Sequence, residues 1–368
     1  MTPPPPDPAA NPHAIQAQAR LHHAYLLGLQ LMIASREGPQ VMGDWMFRLF
    51  RRQHESKFLS SFTKLGLTGL PHAVACARYH VLSNEIGGVA VQYMEENDRK
   101  AWVRFRYPRW MVDGPTICGV PVEVSRGFLR GWYAHNGVSL GNPRLGFVCV
   151  SEDMTGEFGL CGYFLEHDHD LTPDERLRFA RDEAPPAWDP ARQPRPPDTQ
   201  WSPERLQKAA RNYAMEYVRN GIVTLAEVIG EARTLELAGL AARLIGMQYW
   251  RETAALVGTP DGGVDVAAQY LARMFEGMGD QCEIRPGADS RALTLEHRGL
   301  RILRDIDPGS RELLWGCWQQ LWVGALRAHE PMPTATVSIV DGTDLPAARW
   351  QIGPGPAQPA PAAGAQIR

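Results

Sequence analysis

Apolar residues return at helical spacing from the start of the chain. Ala17, Leu21, Ala24, Tyr25 and Gly28 predict a helix over 14–30. Trp45, Phe47, Leu49, Phe50, Phe58, Leu59 and Phe62 predict a second over 39–65. A third stretch, 71–86, runs into Gly87-Gly88. The residues 89–94 and 101–107 read as strands about a polar turn, 123–134 reads as a helix, and 145–151 and 162–166 read as closing strands. The same order then comes again. Helices are expected at 202–220, 225–257 (with a break) and 264–276, strands near 281–285 and 291–297, a helix at 310–329, and two closing strands. Ser202-Pro203-Glu204 carries the signature of a helix start, a cap residue before proline.

Helices followed by an antiparallel meander with one inserted helix is an α+β pattern. Its recurrence predicts a tandem duplication, a pseudo-dimer in a single chain. Phe128-Leu129-Arg130-Gly131-Trp132-Tyr133 faces Leu313-Leu314-Trp315-Gly316-Cys317-Trp318. Without a gap from 151 to 163, Ser151 then falls on Ser338 and Tyr163 on Trp350. The expected organisation is a disordered tail at 1–12, an active lobe at 13–183, a Pro-rich linker at 184–200, a degenerate second lobe at 201–352 and a disordered tail at 353–368.

The chain has 368 residues, 44% hydrophobic and 21% charged, the balance of a soluble globular protein. A net charge of −3 gives no basic footprint for nucleic acid. No apolar run is long enough to span a membrane, and the Pro-rich start lacks the apolar core of a secretion signal. Six cysteines without a CxxC pair then imply reduced thiols and a cytoplasmic location.

Three features resemble two related groups, the 4-vinyl reductase domain family and the L-2-amino-thiazoline-4-carboxylate hydrolase family. They are the glycine-bearing junction from Gly277 to Cys282, the late helix from Arg311 to Ala328, and the closing Asp341-Gly342-Thr343-Asp344 with Trp350-Gln351-Ile352. The resemblance implies an α+β fold and small-molecule binding or ring-opening hydrolysis, often in paired subunits. Members often carry cysteines near the closing turn. Leu345-Pro346-Ala347-Ala348 has none, so no metal or thiol chemistry is expected there.

If two copies share a fold, polar residues kept by only one of them point to chemistry. His135-Asn136 faces Gln320-Leu321, and His80 and Asn84 face apolar or aromatic positions around Tyr270, Leu271 and Phe275. Glu85 keeps its carboxylate in Glu276. Histidine exchanges protons near neutral pH, so His135 and His80 are the candidate general bases, with Glu85 and Asn136 beside them. The plain alternative for His135-Asn136-Gly137 is a helix C-terminus with an Asn-Gly exit. Trp110 and Trp132 are candidate walls for a flat ligand, with Asn84 as a polar contact and Arg109 and Arg126 as carboxylate anchors.

Two further motifs carry less weight. Gly137-Val138-Ser139-Leu140-Gly141 matches GxSxG, but with a helix before and a strand after, the reverse of a nucleophile elbow. Glu166-His167-Asp168-His169-Asp170 has ligand types without an evident third partner, and no metal or cofactor is expected. The leading expectation is a hydrolase of a small cyclic or aromatic organic acid, acting on a C–N bond in a bacterial type of catabolism. A non-catalytic binder of an aromatic or acyl ligand is the first alternative, and an accessory subunit the second. A homo-oligomer is compatible with any of these.

Overall fold

The computed structural model describes residues 11–155, 157–196, 201–329, 332–340 and 346–355. The Asp341–Asp344 turn and most of both expected tails lie outside these residues. The chain forms two compact units, His22–Ala241 and the described parts of Met1–Leu21 with Ala242–Arg368. The fold is mixed α and β, with one sheet in each unit. Among the described residues no helix is long and apolar enough to cross a membrane.

In chain order the elements are α1 (Pro12–Arg36), α2 (Pro39–Phe62), α3 (His72–Ile86), β1 (Val91–Asn97), β2 (Lys100–Phe105), α4 (Thr116–Gly119), α5 (Glu123–Gly131), α6 (Asn136–Ser139), β3 (Leu145–Ser151), β4 (Cys161–Glu166) and β5 (Leu177–Phe179). Then come α7 (Pro203–Ile229), α8 (Glu231–Val257), α9 (Val264–Gly277), β6 (Gln281–Pro286), β7 (Leu293–Arg298), α10 (Pro308–Ala328), β8 (Thr334–Val340) and β9 (Ala347–Gly353). The boundary between the units falls within α1 and α8.

The unit His22–Ala241 holds a five-stranded sheet in the order β1-β2-β4-β3-β5, with β5 added parallel to β3. Alternation along the strands gives the sheet two buried faces. Phe164 turns towards α3 and stacks on His80, with ring centroids 5.5 Å apart. Its neighbour Tyr163 turns to the other face and packs with Met94, Trp102, Val148, Val150 and Cys161. The edge strand β1 is not left bare. Gln193, in the expected linker, donates to the Val91 carbonyl at 2.7 Å and accepts from the Tyr93 amide at 3.2 Å. Its amide group supplies the hydrogen bonds that a further strand would make.

Helices α2 and α5 cross with backbones in contact. A Cβ on Gly131 would lie 2.6 Å from the Phe47 carbonyl, and one on Gly127 2.7 Å from that of Gly43. Only glycine permits so close a crossing. Helix α7 also belongs to this unit. The expected helix end at Asn220-Gly221 does not occur: α7 runs on to Ile229 and turns at Gly230, whose φ of 81° suits glycine. Asn-Gly reads as an exit, but Gly221 sits mid-helix, and its carbonyl accepts a 2.7 Å hydrogen bond from the Trp45 indole. The capping signature is realised, with Ser202 accepting from the Arg205 amide.

The other unit holds a four-stranded sheet in the order β6-β7-β9-β8. Here too a glycine brings helices together, since a Cβ on Gly324 of α10 would meet the Arg243 carbonyl of α8 at 2.1 Å. Trp350 of β9 faces α9 and α10, with Phe275 at 5.5 Å and Trp315 at 5.9 Å between ring centroids.

Candidate functional site

Helices α2, α3 and α7, with the Trp132 and Trp201 segments, enclose a cavity of about 290 Å³ within the unit His22–Ala241. Three residues singled out from sequence line it: His80, Asn84 and Trp132. Tyr79, Phe128, Tyr213 and Tyr217 add aromatic wall. Gln53, Lys57, Lys64, Arg205, Asn212 and Glu216 add polar groups. Helix α7 can come this close because position 87 is glycine. A Cβ there would lie 2.4 Å from the Tyr213 ring. The start of α7 is tied down by Trp201, whose indole donates to the Lys64 carbonyl at 3.2 Å and whose ring lies 4.4 Å from the Arg205 guanidinium carbon.

The lining is rich in donors. Burial pushes the Tyr79, Tyr213 and Tyr217 phenols up, so they stay protonated at neutral pH. Trp132 Nε1 is buried without a hydrogen-bond partner. Lys57 and Glu216 form an ion pair on the lining. Lys64 and Arg205 add two further cationic side chains.

His80 is buried among aromatic rings, 3.8 Å from Tyr133 and 5.5 Å from Phe164, both nearly parallel to it. Burial holds it well below the ordinary histidine range, with the nearby His54 adding to the effect, so the ring is neutral. The Asn136 amide donates to His80 Nε2 at 2.9 Å, which places the ring proton on Nδ1. Asn84 donates back to the His80 carbonyl at 2.7 Å, one turn earlier in α3.

The other predicted residues lie elsewhere. Glu85 is exposed and does not line the cavity. Five residues along a helix turn it well away from His80. His135 is half-buried in a separate cleft with Arg51, Arg130 and Arg176. It does not form the Asn-Gly helix exit: Asn136 and Gly137 belong to α6, and the positive φ of 65° comes at Gly141. Arg109 is buried in an ion pair with Asp153, which also accepts from the Tyr107 hydroxyl at 2.9 Å. Trp110 stacks on His23 at 4.0 Å. Arg126 pairs with Glu152 at 3.4 Å and lines a further cleft with Asp44 and Glu123.

The GxSxG serine contacts a histidine that sequence alone did not connect to it. Ser139 Oγ lies 2.8 Å from His54 Nε2. His54 Nδ1 is buried without a partner, and burial, His135 and Arg51 push its pKa down to about 3. An unpaired buried N–H costs more than an unpaired lone pair, so the proton sits on Nε2 and Ser139 accepts it. That is the reverse of base activation. In the 166–170 run, Arg99 pairs with Asp168 at 2.6 Å, and no group of three metal-binding side chains occurs among the described residues.

Two sets of residues escaped the sequence reading. Tyr213, Glu216 and Tyr217 on α7 were assigned to the second lobe, although the spacing from 213 to 217 already gave one helical face. In the unit containing Ala242–Arg368, Asp280 and His297 form a fully buried pair at 2.8 Å, with Phe275 stacked on His297 at 4.0 Å and the Trp350 indole donating to its Nδ1 at 3.4 Å. No polar residue of that unit had been singled out. In the comparisons with known proteins, no family model, no curated protein and no solved structure matches the chain.

Proposed function

We propose that this protein binds a small, flat organic acid in the cavity between α2, α3 and α7. One observation carries the reading: the rings of Trp132, Tyr79 and Tyr213 share one cavity lining with hydrogen-bond donors. Aromatic walls accept a planar ring, and hydrogen-bond donors on the same lining complement a carboxylate. The volume of about 290 Å³ fits a single-ring ligand better than a nucleotide.

Hydrolysis of a C–N bond in such a ligand is the second reading, and the place of His80 on the cavity lining favours it. With its Nε2 lone pair taken up by the Asn136 N–H and its basicity lowered by burial, the neutral ring would act there as a hydrogen-bond donor through Nδ1 and not as the base. The resemblance to the thiazoline-carboxylate hydrolases points to the same substrate class. We further propose that the two sheets descend from one duplicated unit. Their shared strand order and the glycine-mediated helix crossings beside each of them support this.

The test is a screen of single-ring carboxylates by thermal shift, followed by product analysis of each hit. A stabilising ligand that loses its effect in W132F supports the binding reading. Turnover that disappears in H80Q while ligand binding persists supports hydrolysis. Stabilisation that is equal in the native chain and W132F would remove the cavity from consideration.

A further inference from the structure

A second concavity in the unit His22–Ala241, about 680 Å³ in volume, does not share a lining residue with the cavity beside His80. Arg51, Arg130 and Arg176 line it together with His135, against one carboxylate, Asp174. Among the described residues none of the three arginines makes an ion pair. Such a concentration of guanidinium groups raises the energy of the empty site by mutual repulsion.

Arg51 is held in place. Its Nε donates to the Gly131 carbonyl at 3.0 Å and one terminal nitrogen to the Arg130 carbonyl at 3.3 Å, while the Phe47 ring lies 5.2 Å from the guanidinium carbon. These contacts satisfy carbonyls at the end of α5, while the Glu55 carboxylate, four residues on in α2, offsets part of the charge without forming an ion pair. His135 registers the same field. Burial first, then Arg51 and Arg176, push it down to about 4. Of the charged groups near it, Arg51, His54 and Glu55 come from α2, Arg130 from α5, and Asp174 and Arg176 from the segment before β5.

We propose that this cleft binds a phosphate group. Guanidinium forks match phosphate oxygens in pairs, and a neutral His135 supplies an N–H donor beside them. Phe47, Leu177 and Phe179 form an apolar flank that suits a phosphate carried on an organic group.

The test follows the His135 ring resonance by NMR against pH in the full chain. It uses phenyl phosphate, inorganic phosphate and benzoate at constant ionic strength. Phenyl phosphate is expected to move the His135 midpoint to higher pH, because the bound anion offsets Arg51 and Arg176. R130Q and R176Q should each weaken binding about tenfold, with an unchanged melting temperature as the folding control. Equal binding of inorganic phosphate supports the site and identifies free phosphate as a sufficient occupant. Weaker binding of it supports the site and identifies an organic phosphate. Three results overturn the proposal: an unmoved His135 midpoint, benzoate binding as tightly as phenyl phosphate, or native affinity in both variants.

Discussion

The Asn136 amide nitrogen lies 2.9 Å from His80 Nε2, and both residues are buried. The contact links α6 to α3 and fixes which nitrogen of His80 carries the proton. N136A would leave an imidazole nitrogen unpaired in the core, at a cost of about 1–3 kcal/mol. Urea denaturation should show this as a lower midpoint with an unchanged slope. A midpoint shift of zero would mean that the bond contributes nothing to the fold.

Two adjacent glycines should answer the same substitution differently. Position 87 faces the Tyr213 ring at 2.4 Å from a built Cβ, whereas nothing lies within 4 Å of one at position 88. G87A must push Tyr213, and with it one wall of the cavity, at a cost of about 1–3 kcal/mol. Gly88 has a φ of 77°, so G88A costs about 1–2 kcal/mol of backbone strain without touching the wall. Stability should fall in both, while binding of a cavity ligand should weaken in G87A alone. Equal binding by the two variants would separate Tyr213 from the site.

These particulars explain how far the chain could be read from its sequence. Helical spacing and the order of strands gave the α+β class, because each buried face imposes its own period. Registering the two halves was harder. Aligning Tyr163 with Trp350 pairs residues that face opposite ways: Tyr163 turns from α3, while Trp350 packs on Phe275 of α9. Likewise Ser151 is buried and Ser338 exposed. A one-residue slip reverses every side chain of a strand, and amino-acid similarity alone does not detect it. The comparison of halves singles out His80 and Asn84, which line the cavity, and His135 and Asn136, which do not; Trp132 stands out by the density of aromatic residues alone. That comparison could not find Tyr213, Glu216 and Tyr217, since a comparison that contrasts two halves discards what one half contributes to the other's cavity.

Acid should destabilise the protein through its buried histidines. His80 and His54 are both held below the ordinary range, chiefly by burial, His54 down to about 3. Unfolded, each would titrate near 6.5. Their neutral forms therefore carry full stability above about pH 6.5. As the pH falls below that, the unfolded chain takes up protons that the folded chain refuses. Each such histidine then removes about 1.4 kcal/mol per pH unit. For His54 the loss continues until its folded value is reached. Denaturation at pH 7, 6 and 5 should give a falling midpoint, and H54Q should flatten the fall. An identical pH slope in H54Q would exclude His54 as a contributor.

Arg109 tests whether a buried arginine anchors a ligand or the fold. Its guanidinium pairs with Asp153 and lies 4.3 Å from the Phe105 ring centre, with both charged side chains buried. D153N would leave the guanidinium charge uncompensated and should cost about 3–5 kcal/mol, enough to lower the melting temperature sharply. Replacing both partners by apolar residues of similar size removes the charge along with its counter-charge. R109M/D153L should therefore recover most of the stability lost in D153N. Because Arg109 does not line the cavity, the double variant should also keep native affinity for a ligand bound beside His80. Loss of that affinity with stability restored would return Arg109 to the role of carboxylate anchor.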